Sequence, residues 1–555
     1  MRFSPYVANY TPSSYLNSTK TIVQRQGLNL NEVKIITFND VYHPNGVARI
    51  YSVLKNLLNK DPSQPILVLF GGDLLSPSPE SELTGGSHLI DGMNALFKLV
   101  HGKLIAVLGN HDFDKGVENL KKQVNRSLFT WLGGNLFQNG RHLNETPAYK
   151  IMKVNGRRIL VYGVCIPEVY TKLPQNVHLE DPLSQIEKHL PEIIMAHRPD
   201  MTILLAHLGE DYYQRLSKLP INLAIVGHEH NSSILRETSV PVVCADANAR
   251  SHSDINVEFR EPKLLWERLQ ALMHDLVFGK LPASNVKNIT TEIKPTEDST
   301  PSPEVLATID PCIRRYSESL NKPLATLPEP LDFTFENLRR GQETAEGNCI
   351  ADWHLAAWNH FNPAAPVDVA MIHAGCLRSD NKITNALFTR RDLAELLPYQ
   401  DIMLRIEADE KLIKSILEES LHLRLDDIPN KHPGHFMNIS GLTVEVDMTK
   451  AYGERVTSIK NSKGDFLEDS YKLYLTVSKF LTERRSGLSS LRCYVKKHPE
   501  RVQKGVQLPS QTFGEYTVEK SYLEAYLESL AQGSGLPTIS LTKDGRWTIK
   551  NQNLQ

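Results

Sequence analysis

Five short apolar runs in this chain each stop at a cluster of residues able to hold a cation or move a proton. No other feature constrains the fold as much. Val33–Phe38 ends in Asn39-Asp40-Val41-Tyr42-His43, and Pro65–Phe70 ends in Gly71-Gly72-Asp73. Ile105–Leu108 ends in Gly109-Asn110-His111-Asp112-Phe113-Asp114. Met201–Ala206 ends at His207, and Leu223–Val226 ends in Gly227-His228-Glu229-His230. Runs of this length, rich in β-branched residues, read as buried strands. Helix-like patterns at 47–58 and 89–100 separate the first three, so strands alternate with helices and imply a layered α/β sheet. Such sheets place ligands just beyond the carboxyl ends of their strands. Random placement would scatter His and Asp; here they collect at equivalent strand ends.

The residue types specify the chemistry further. Asn110 offers a carbonyl oxygen to a cation, His111 offers a ring nitrogen, and Asp114 is close enough to orient that ring. Asp, Asn and His together suit a pair of borderline-to-hard divalent cations: Mn, Zn, Fe, Mg or Co. The missing thiolates argue against a structural zinc site. Glycines ahead of the ligands let the backbone turn sharply and approach a bound group closely.

Length and charge set outer bounds. At 555 residues the chain is too long for one hydrophobic core. A formal net charge of -2 leaves no general basic footprint, so binding of a nucleic-acid polymer is not expected. No apolar run approaches the ~18 residues that span a bilayer, and the opening Met1-Arg2-Phe3-Ser4-Pro5-Tyr6 lacks the apolar core of a secretory signal. Six scattered cysteines form no CxxC pair, and several lie in strand-like runs where a free thiol acts as a small hydrophobe. These features give the expectation of a cytoplasmic protein with no membrane partner; the oligomeric state is left open.

With these motifs the chain resembles the calcineurin-like metallophosphoesterases, and specifically the 5'-nucleotidase family. The resemblance implies a layered β-sandwich domain of α/β class flanked by helices, followed by a second α+β substrate-binding domain. It implies an N-terminal arm at 1–30, the phosphoesterase domain at 31–260, a connecting helix and linker at 261–330, and the substrate domain at 331–555. It also implies that Asp73 bridges two metals, one held by Asp40 and His230, the other by Asn110, His207 and His228. His111 and Asp114 match the catalytic His–Asp pair that contacts the phosphate and stabilises charge on the leaving oxygen. Two ions roughly 3.5–4 Å apart activate a water and clamp an in-line displacement at phosphorus.

One position departs from the family pattern. The first motif's histidine belongs two residues after the aspartate, where this chain has Tyr42, with His43 one further on. Along an extended strand, residues i and i+2 share a face, so Tyr42 would point with Asp40 and His43 away. Either a phenolate takes the histidine's role, or a bulge or turn swings His43 inward, or that metal loses a ligand.

After the strand at 255–259, a helical apolar stripe occupies 261–277, and the Pro-containing polar segment 281–306 is the candidate linker. His252 reads as a surface-loop histidine. Farther on, Arg340-Gly341-Gln342-Glu343-Thr344 and Gly347-Asn348-Cys349-Ile350-Ala351-Asp352 resemble the opening of the 5'-nucleotidase C-terminal domain. The run Val367–Ile372 leads to His373-Ala374-Gly375-Cys376-Leu377-Arg378. The resemblance assigns substrate contacts to Arg340 and Arg378, whose rigid donor forks suit phosphate oxygens and sugar hydroxyls. His373 stands where the family has an asparagine. Leu397-Pro398-Tyr399 and Gly434-His435-Phe436 are further landmarks, and Phe436 matches the first of two rings that sandwich a base. The second ring is missing: Lys479–Leu488 replaces a GGDGF-like stretch and brings Arg484 and Arg485 instead of its aspartate. Losing one stacking face forfeits ~1–3 kcal/mol. The resulting expectation is hydrolysis of a small phosphomonoester, foremost a 5'-nucleotide. The alternatives are a sugar- or glycerate-phosphate type of ester, and phosphodiester or pyrophosphate cleavage; a non-catalytic scaffold, the reading from a different class, is disfavoured by the retained His111–Asp114 pair and ligand motifs.

Overall fold

The computed structural model describes residues 31–550 apart from 144, 170–172, 217, 237–238, 262–274, 276–279, 339–340, 378–381, 399–400, 423–433, 469–471, 483–487, 507, 509–511, 514–515, 518 and 532–534. The expected arm at 1–30, most of the stripe at 261–277, and Arg340, Arg378, Tyr399, Arg484 and Arg485 lie outside the described residues. The chain divides into two compact units, one running to Ser76 and resuming over Thr84–Cys312, the other formed by Pro77–Leu83 with Ile313 onward.

The first unit is built on two six-stranded sheets. Its strands are β1 (Glu32–Phe38), β2 (Ile66–Phe70), β3 (Leu104–Val107), β4 (Thr130–Leu132), β5 (Tyr149–Val154), β6 (Arg157–Cys165), β7 (Met201–His207), β8 (Leu223–Gly227), β9 (Ser233–Leu235), β10 (Val242–Cys244), β11 (Ser251–Phe259) and β12 (Val286–Pro295). The strand order is β12-β11-β1-β2-β3-β4 in one sheet and β9-β10-β8-β7-β6-β5 in the other. β1 to β4 run parallel, as do β6, β7, β8 and β10, while the outer strands are antiparallel. Parallel neighbours need crossovers. Helices α1 (Pro44–Lys60) and α2 (Ser87–Leu99) supply two of them.

Because both faces of the central strands are covered, their sequences are continuous apolar runs rather than alternations. All five residues of β2 and all seven of β7 are buried. Between the sheets, Ile35, Leu67, Leu69, Ile105 and Val107 meet Val161, Ile203, Leu205, Leu223 and Ile225 in one core. On the far face of the second sheet lies helix α3 (Pro182–His197), begun by Asp181, whose side chain accepts from Ser184 N at 2.8 Å. Its residues Leu183, Ile186, Leu190 and Ile194, spaced three and four apart, pack on Leu160, Tyr162, Leu204 and Ala206.

Two expectations are corrected here. The segment 281–306 is no bare linker: it contains β12, whose residues pair with β11 from Ser251↔Pro295 to Phe259↔Val286. As an edge strand it buries only part of its length, Ile289 reaching the core while Lys287 and Lys294 stay outward, so its polar composition hid it. His252 is not on a surface loop either. It lies within β11, is 4% exposed, and its Nδ1 is 2.7 Å from Thr296 Oγ1.

The second unit is α+β. Helix α4 (Ala345–Phe361) starts at Thr344, whose hydroxyl accepts from Gly347 N at 3.0 Å. A mixed sheet follows, with β13 (Val369–His373), β14 (Met403–Asp409), β15 (Met437–Ser440), β16 (Lys472–Ser478) and β17 (Val502–Lys504) in the order β15-β13-β16-β14-β17. Helix α5 (Glu410–His422) covers it with Leu412, Ile413, Ile416, Leu417 and Leu421. Among the described residues no helix is long and apolar enough to cross a membrane. All six cysteines are free, with Cys165, Cys244, Cys349 and Cys376 buried.

Burial pushes the His252 imidazole down to about 4, aided by Lys294 and Lys34 against the pull of Asp254. Between that value and an unfolded value of about 6.5 the unfolded chain binds the extra proton, so stability falls as pH is lowered through this window. A shift of this size corresponds to roughly 3 kcal/mol at full extent. His252→Leu is therefore expected to lose less of its urea midpoint than wild type between pH 7 and pH 4.5; equal losses would contradict the assignment.

Candidate metal centre

Each strand of interest ends where its loop begins, at one end of the sandwich. β1 leads to Asp40, β2 to Asp73, β3 to Asn110 and His111, β7 finishes in His207, and β8 leads to His228 and His230. The backbone there is held in conformations that ordinary residues avoid. Asp40, Asp73 and His228 all take left-handed backbone, with φ of 52°, 61° and 94°. Each such residue costs on the order of 1–3 kcal/mol and persists only where its surroundings impose it. Gly109 allows the closest approach: a Cβ there would stand 2.0 Å from Asp73 Oδ1.

The side chains converge on Asp73. His207 Nε2 lies 3.2 Å from Asp73 Oδ2 and 3.1 Å from Asn110 Oδ1. His228 Nδ1 is 3.1 Å from the same Asn110 oxygen. On the other side, Tyr42 Oη is 3.4 Å from Asp73 Oδ2, 3.2 Å from Asp40 Oδ1 and 3.3 Å from His230 Nε2. His230 Nε2 is itself 3.5 Å from Asp40 Oδ1. Asp40, Asp73 and His207 can bring one donor atom each within 4.8 Å of one another. Asp73 thus touches His207 on one side and Tyr42 on the other; Asn110 joins His207 to His228, and Tyr42 joins Asp40 to His230.

The donor set fits a cation on chemical grounds. His207 Nδ1 sits 2.8 Å from Gly71 O, a carbonyl that can only accept, so Nδ1 carries the proton. Its Nε2 in the neutral ring is then a lone pair aimed at a carboxylate and an amide oxygen, which is acceptor facing acceptor. Only a proton or a metal ion reconciles that contact. Burial opposes charge on His207, but Asp73 and Asp40 outweigh it and push the ring up to about 10. Burial and the charge of His207 push His228 down to about 3. Asp40 is held well below the usual carboxylate range by His207 and His230 despite its burial, and Asp73 is lowered by His207 and His111.

Tyr42 points into the centre and is 7% exposed, whereas His43 is the residue that precedes helix α1, in extended backbone. The pairing of Tyr42 with Asp40 does not come from a continued strand, because β1 ends at Phe38 and Asp40 turns left-handed. Tyr42 N instead donates to Asn248 Oδ1 at 3.0 Å, which fixes the turn. Next to the centre, His111 Nδ1 is 2.9 Å from Asp114 Oδ2, and the His111 backbone N donates to Asp73 Oδ1 at 2.8 Å.

Two supporting residues had no role in the sequence reading. Asp112 accepts from Gly109 N at 2.8 Å, from Leu74 N and Leu75 N at 2.9 Å each, and from Asp73 N at 3.2 Å, latching the β3 loop to the β2 loop. Asn39 donates to Asp40 Oδ2 at 2.7 Å and bonds both backbone groups of Ala245. Their positions inside the motifs, Asn39 next to Asp40 and Asp112 between His111 and Asp114, were the available signal.

In the second unit, His373 and His435 face each other with Nε2 and Nδ1 3.4 Å apart, and the Phe480 ring lies 6.3 Å from that of His373. Phe436 does not serve as expected. It is 1% exposed and packs at 4.9 Å against Trp547 within the core, so its ring presents no face to a ligand. In the turn just ahead of β15, His435 is half-buried while Phe436 is buried.

Residues 33–232 match the calcineurin-like phosphoesterase family, and residues 323–491 match the family described as 5'-nucleotidase, C-terminal domain. A 5'-nucleotidase of Bos taurus is 22% identical over 457 residues, covering 75% of this chain and 72% of its own length. An apyrase of Aedes albopictus is 22% identical over 480 residues, 80% of each. The crystal structure of a 5'-nucleotidase precursor from Thermus thermophilus superposes with a TM-score of 0.70 at 17% identity, covering 94% of this chain and 100% of that one.

Gly109→Ala is expected to push Asp73 out of place, since the new methyl group would collide with its carboxylate. Overpacking of this kind costs about 1–3 kcal/mol, and displaced ligand support lowers metal affinity roughly 10–100-fold. Metal content after dialysis, read beside the thermal midpoint, tests this; full metal content would contradict it.

Proposed function

Since the chain joins a calcineurin-like phosphoesterase domain to a 5'-nucleotidase C-terminal domain and belongs with the metal-dependent hydrolases of that kind, we propose that it hydrolyses a phosphomonoester at a two-metal centre, with a 5'-nucleotide as substrate. The observation that carries this reading is the buried cluster of Asp40, Asp73 and His207 at the strand ends, with His207 Nε2 facing two acceptors. Asp40, His230 and Asp73 would hold one ion; Asn110, His207, His228 and Asp73 would hold the other. When bound, two such ions polarise the phosphoryl group and supply the attacking water for in-line displacement at phosphorus.

The chain's own groups do the rest. Gly71 O fixes the tautomer of His207, and Asn39 with the His228 backbone N, 3.0 Å from Asp40 Oδ2, orients the Asp40 carboxylate. Asp114 Oδ2 accepts from His111 Nδ1, which leaves Nε2 as the ring atom turned to chemistry. Protonated at Nε2, His111 donates to a phosphate oxygen and then to the leaving oxygen as negative charge builds there. The His111 ring stands beside that of Tyr42, 6.5 Å away and edge-on.

A second reading, a phosphomonoester other than a nucleotide, is favoured by one observation: Phe436 is buried and gives no base-stacking face. Stacking would then rest on His435 and Phe480, and a pair of imidazoles suits an anionic or hydroxyl-rich substrate as readily as a base.

With added Mn²⁺, AMP and UMP are expected to release phosphate faster than p-nitrophenyl phosphate, and bis-p-nitrophenyl phosphate more slowly. Nucleotides turned over no better than p-nitrophenyl phosphate would transfer the conclusion to the second reading. His111→Ala is expected to lower kcat by ~10²–10⁴ while metal content is retained; phosphate release at the wild-type rate would end the catalytic assignment.

A further inference from the structure

We propose that Asp401 is a positioning residue for substrate binding in the second unit: its carboxylate holds the turn that presents the Phe480 ring to a planar group of the substrate. The inference rests on the nucleotide reading above and adds to it the part played by a buried carboxylate.

Placement of the ring gives the first support. β13 and β16 are parallel neighbours, paired at Val369↔Leu475 and Ala370↔Thr476, and ligands collect beyond the carboxyl ends of parallel strands. His373 ends β13, and Phe480 follows the end of β16 by two residues. The two rings lie 6.3 Å apart, edge-on, and the His435 ring stands 5.3 Å from that of His373. Gly375 N donates to His373 Nδ1 at 3.1 Å, so the neutral ring carries its proton on Nε2, 3.4 Å from His435 Nδ1. Only a glycine permits that approach, because a Cβ on Gly375 would stand 2.6 Å from the His373 ring. Phe480 is half-buried, so part of its ring is open to a ligand.

The hold on that ring gives the second. Asp401 Oδ2 accepts from Phe480 N at 2.7 Å and from Ser478 Oγ at 2.5 Å, while Oδ1 accepts from Ile402 N at 2.9 Å. Lys479 N donates to Ile402 O at 2.8 Å. Three successive residues are thus fixed just where the pairing of β14 with β16 ends, at Met403↔Ser478. The Phe480 side chain only partly packs on the core, so this turn sets its direction.

The carboxylate does this at an electrostatic cost. Burial and the charge of Glu519 raise Asp401 to about 6. Glu519 begins helix α6 (Glu519–Ala531); its N donates to Asp401 O at 2.7 Å, and its Oε1 meets His354 Nε2. His354 Nδ1 is 2.7 Å from Ile350 O, an acceptor only, so Nδ1 carries one proton and a second lies between Nε2 and Glu519. A neutral side chain would bond the same donors without that cost. Charge-assisted bonds are roughly twice as strong, and a ring used for recognition binds best when its placement is already fixed. Protonating Asp401 takes charge from acceptors that already serve three donors, so the hold on Phe480 slackens as pH falls through about 6.

The test uses the full-length protein with Mn²⁺ and two phosphomonoesters, AMP with a ring and β-glycerophosphate without one. Asp401→Ala is expected to raise KM for AMP about tenfold more than KM for β-glycerophosphate, with the loss carried by KM rather than kcat. Phe480→Ala should do the same, and the double variant should lose no more than Phe480→Ala alone, because Asp401 acts through the ring. From pH 7.5 to pH 5.5 the wild-type ratio of KM for AMP to KM for β-glycerophosphate should rise, the titration of phosphate itself cancelling between the two esters. Asp401→Asn, which keeps an acceptor and does not titrate, should hold that ratio flat. If Asp401→Ala does not fold, Ser478→Ala, which removes one of the three donors, should move the ratio the same way by a smaller factor. Equal losses on both esters, additive losses in the double variant, or a pH profile shared by Asp401→Asn overturns the role of Asp401 and leaves the nucleotide reading standing. No phosphate release from AMP by wild type overturns both.

Discussion

Two buried carboxylates that repel one another are the constraint on which the first unit is organised. Asp40 is 0% and Asp73 1% exposed, so water screens neither. Unpaired, each would carry a desolvation cost of several kcal/mol. The surrounding residues supply partial compensation only: Asn39 and the His228 amide serve Asp40, the His111 amide serves Asp73, and His207 sits across from both. What remains is a site whose electrostatics are completed by added positive charge. The rest of the unit can be understood as the structure needed to keep those two groups together despite that cost.

Two means accomplish this. The sandwich buries parallel apolar strands so completely that their carboxyl ends are fixed in space, and the strand ends carry the donors. The loops beyond them are then forced into left-handed backbone at Asp40, Asp73 and His228, with the Asp112 carboxylate gathering four backbone amides from two loops into one rigid corner. Burial raises Asp112 to about 6, with Asp73 adding to the effect, so even this latch carries an electrostatic cost that its hydrogen bonds offset. Preorganisation of this sort is where folding energy becomes affinity: ligands already placed lose little freedom when an ion arrives.

The sequence made the centre legible because its constraints are local in the chain. A strand ending in a donor recurs five times, with a glycine ahead of the donor in three of them, and each repeat fixes a direction as well as a residue type. The sequence left Tyr42 and His43 open as the group beside Asp40, and the turn that brings the Tyr42 ring inward involves Asn248, some two hundred positions away, a bond no local pattern announces. The edge strand at 286–295 was missed for the opposite reason. An edge needs only intermittent apolar contact, so Pro and Lys nearby made it read as a connector. His252 was misplaced because a buried histidine satisfied by Thr296 leaves no trace in composition.

The second unit was read least well at the residue that mattered for substrate choice, and the physics explains why. A ring that stacks on a ligand and a ring that fills a core satisfy the same hydrophobic rule; only the local course of the backbone decides between them. In the turn Gly434-His435-Phe436, just ahead of β15, His435 is left half-buried and Phe436 packs on Trp547. Metal ligands tolerate no such ambiguity, because a carboxylate or imidazole turned into an apolar core would be left unsatisfied. Chemistry carried by buried charge is thus written more plainly in a sequence than specificity carried by aromatic surface. Asp40, Asp73 and their partners are accordingly legible in the chain itself, while the packing of Phe436 against Trp547 is not.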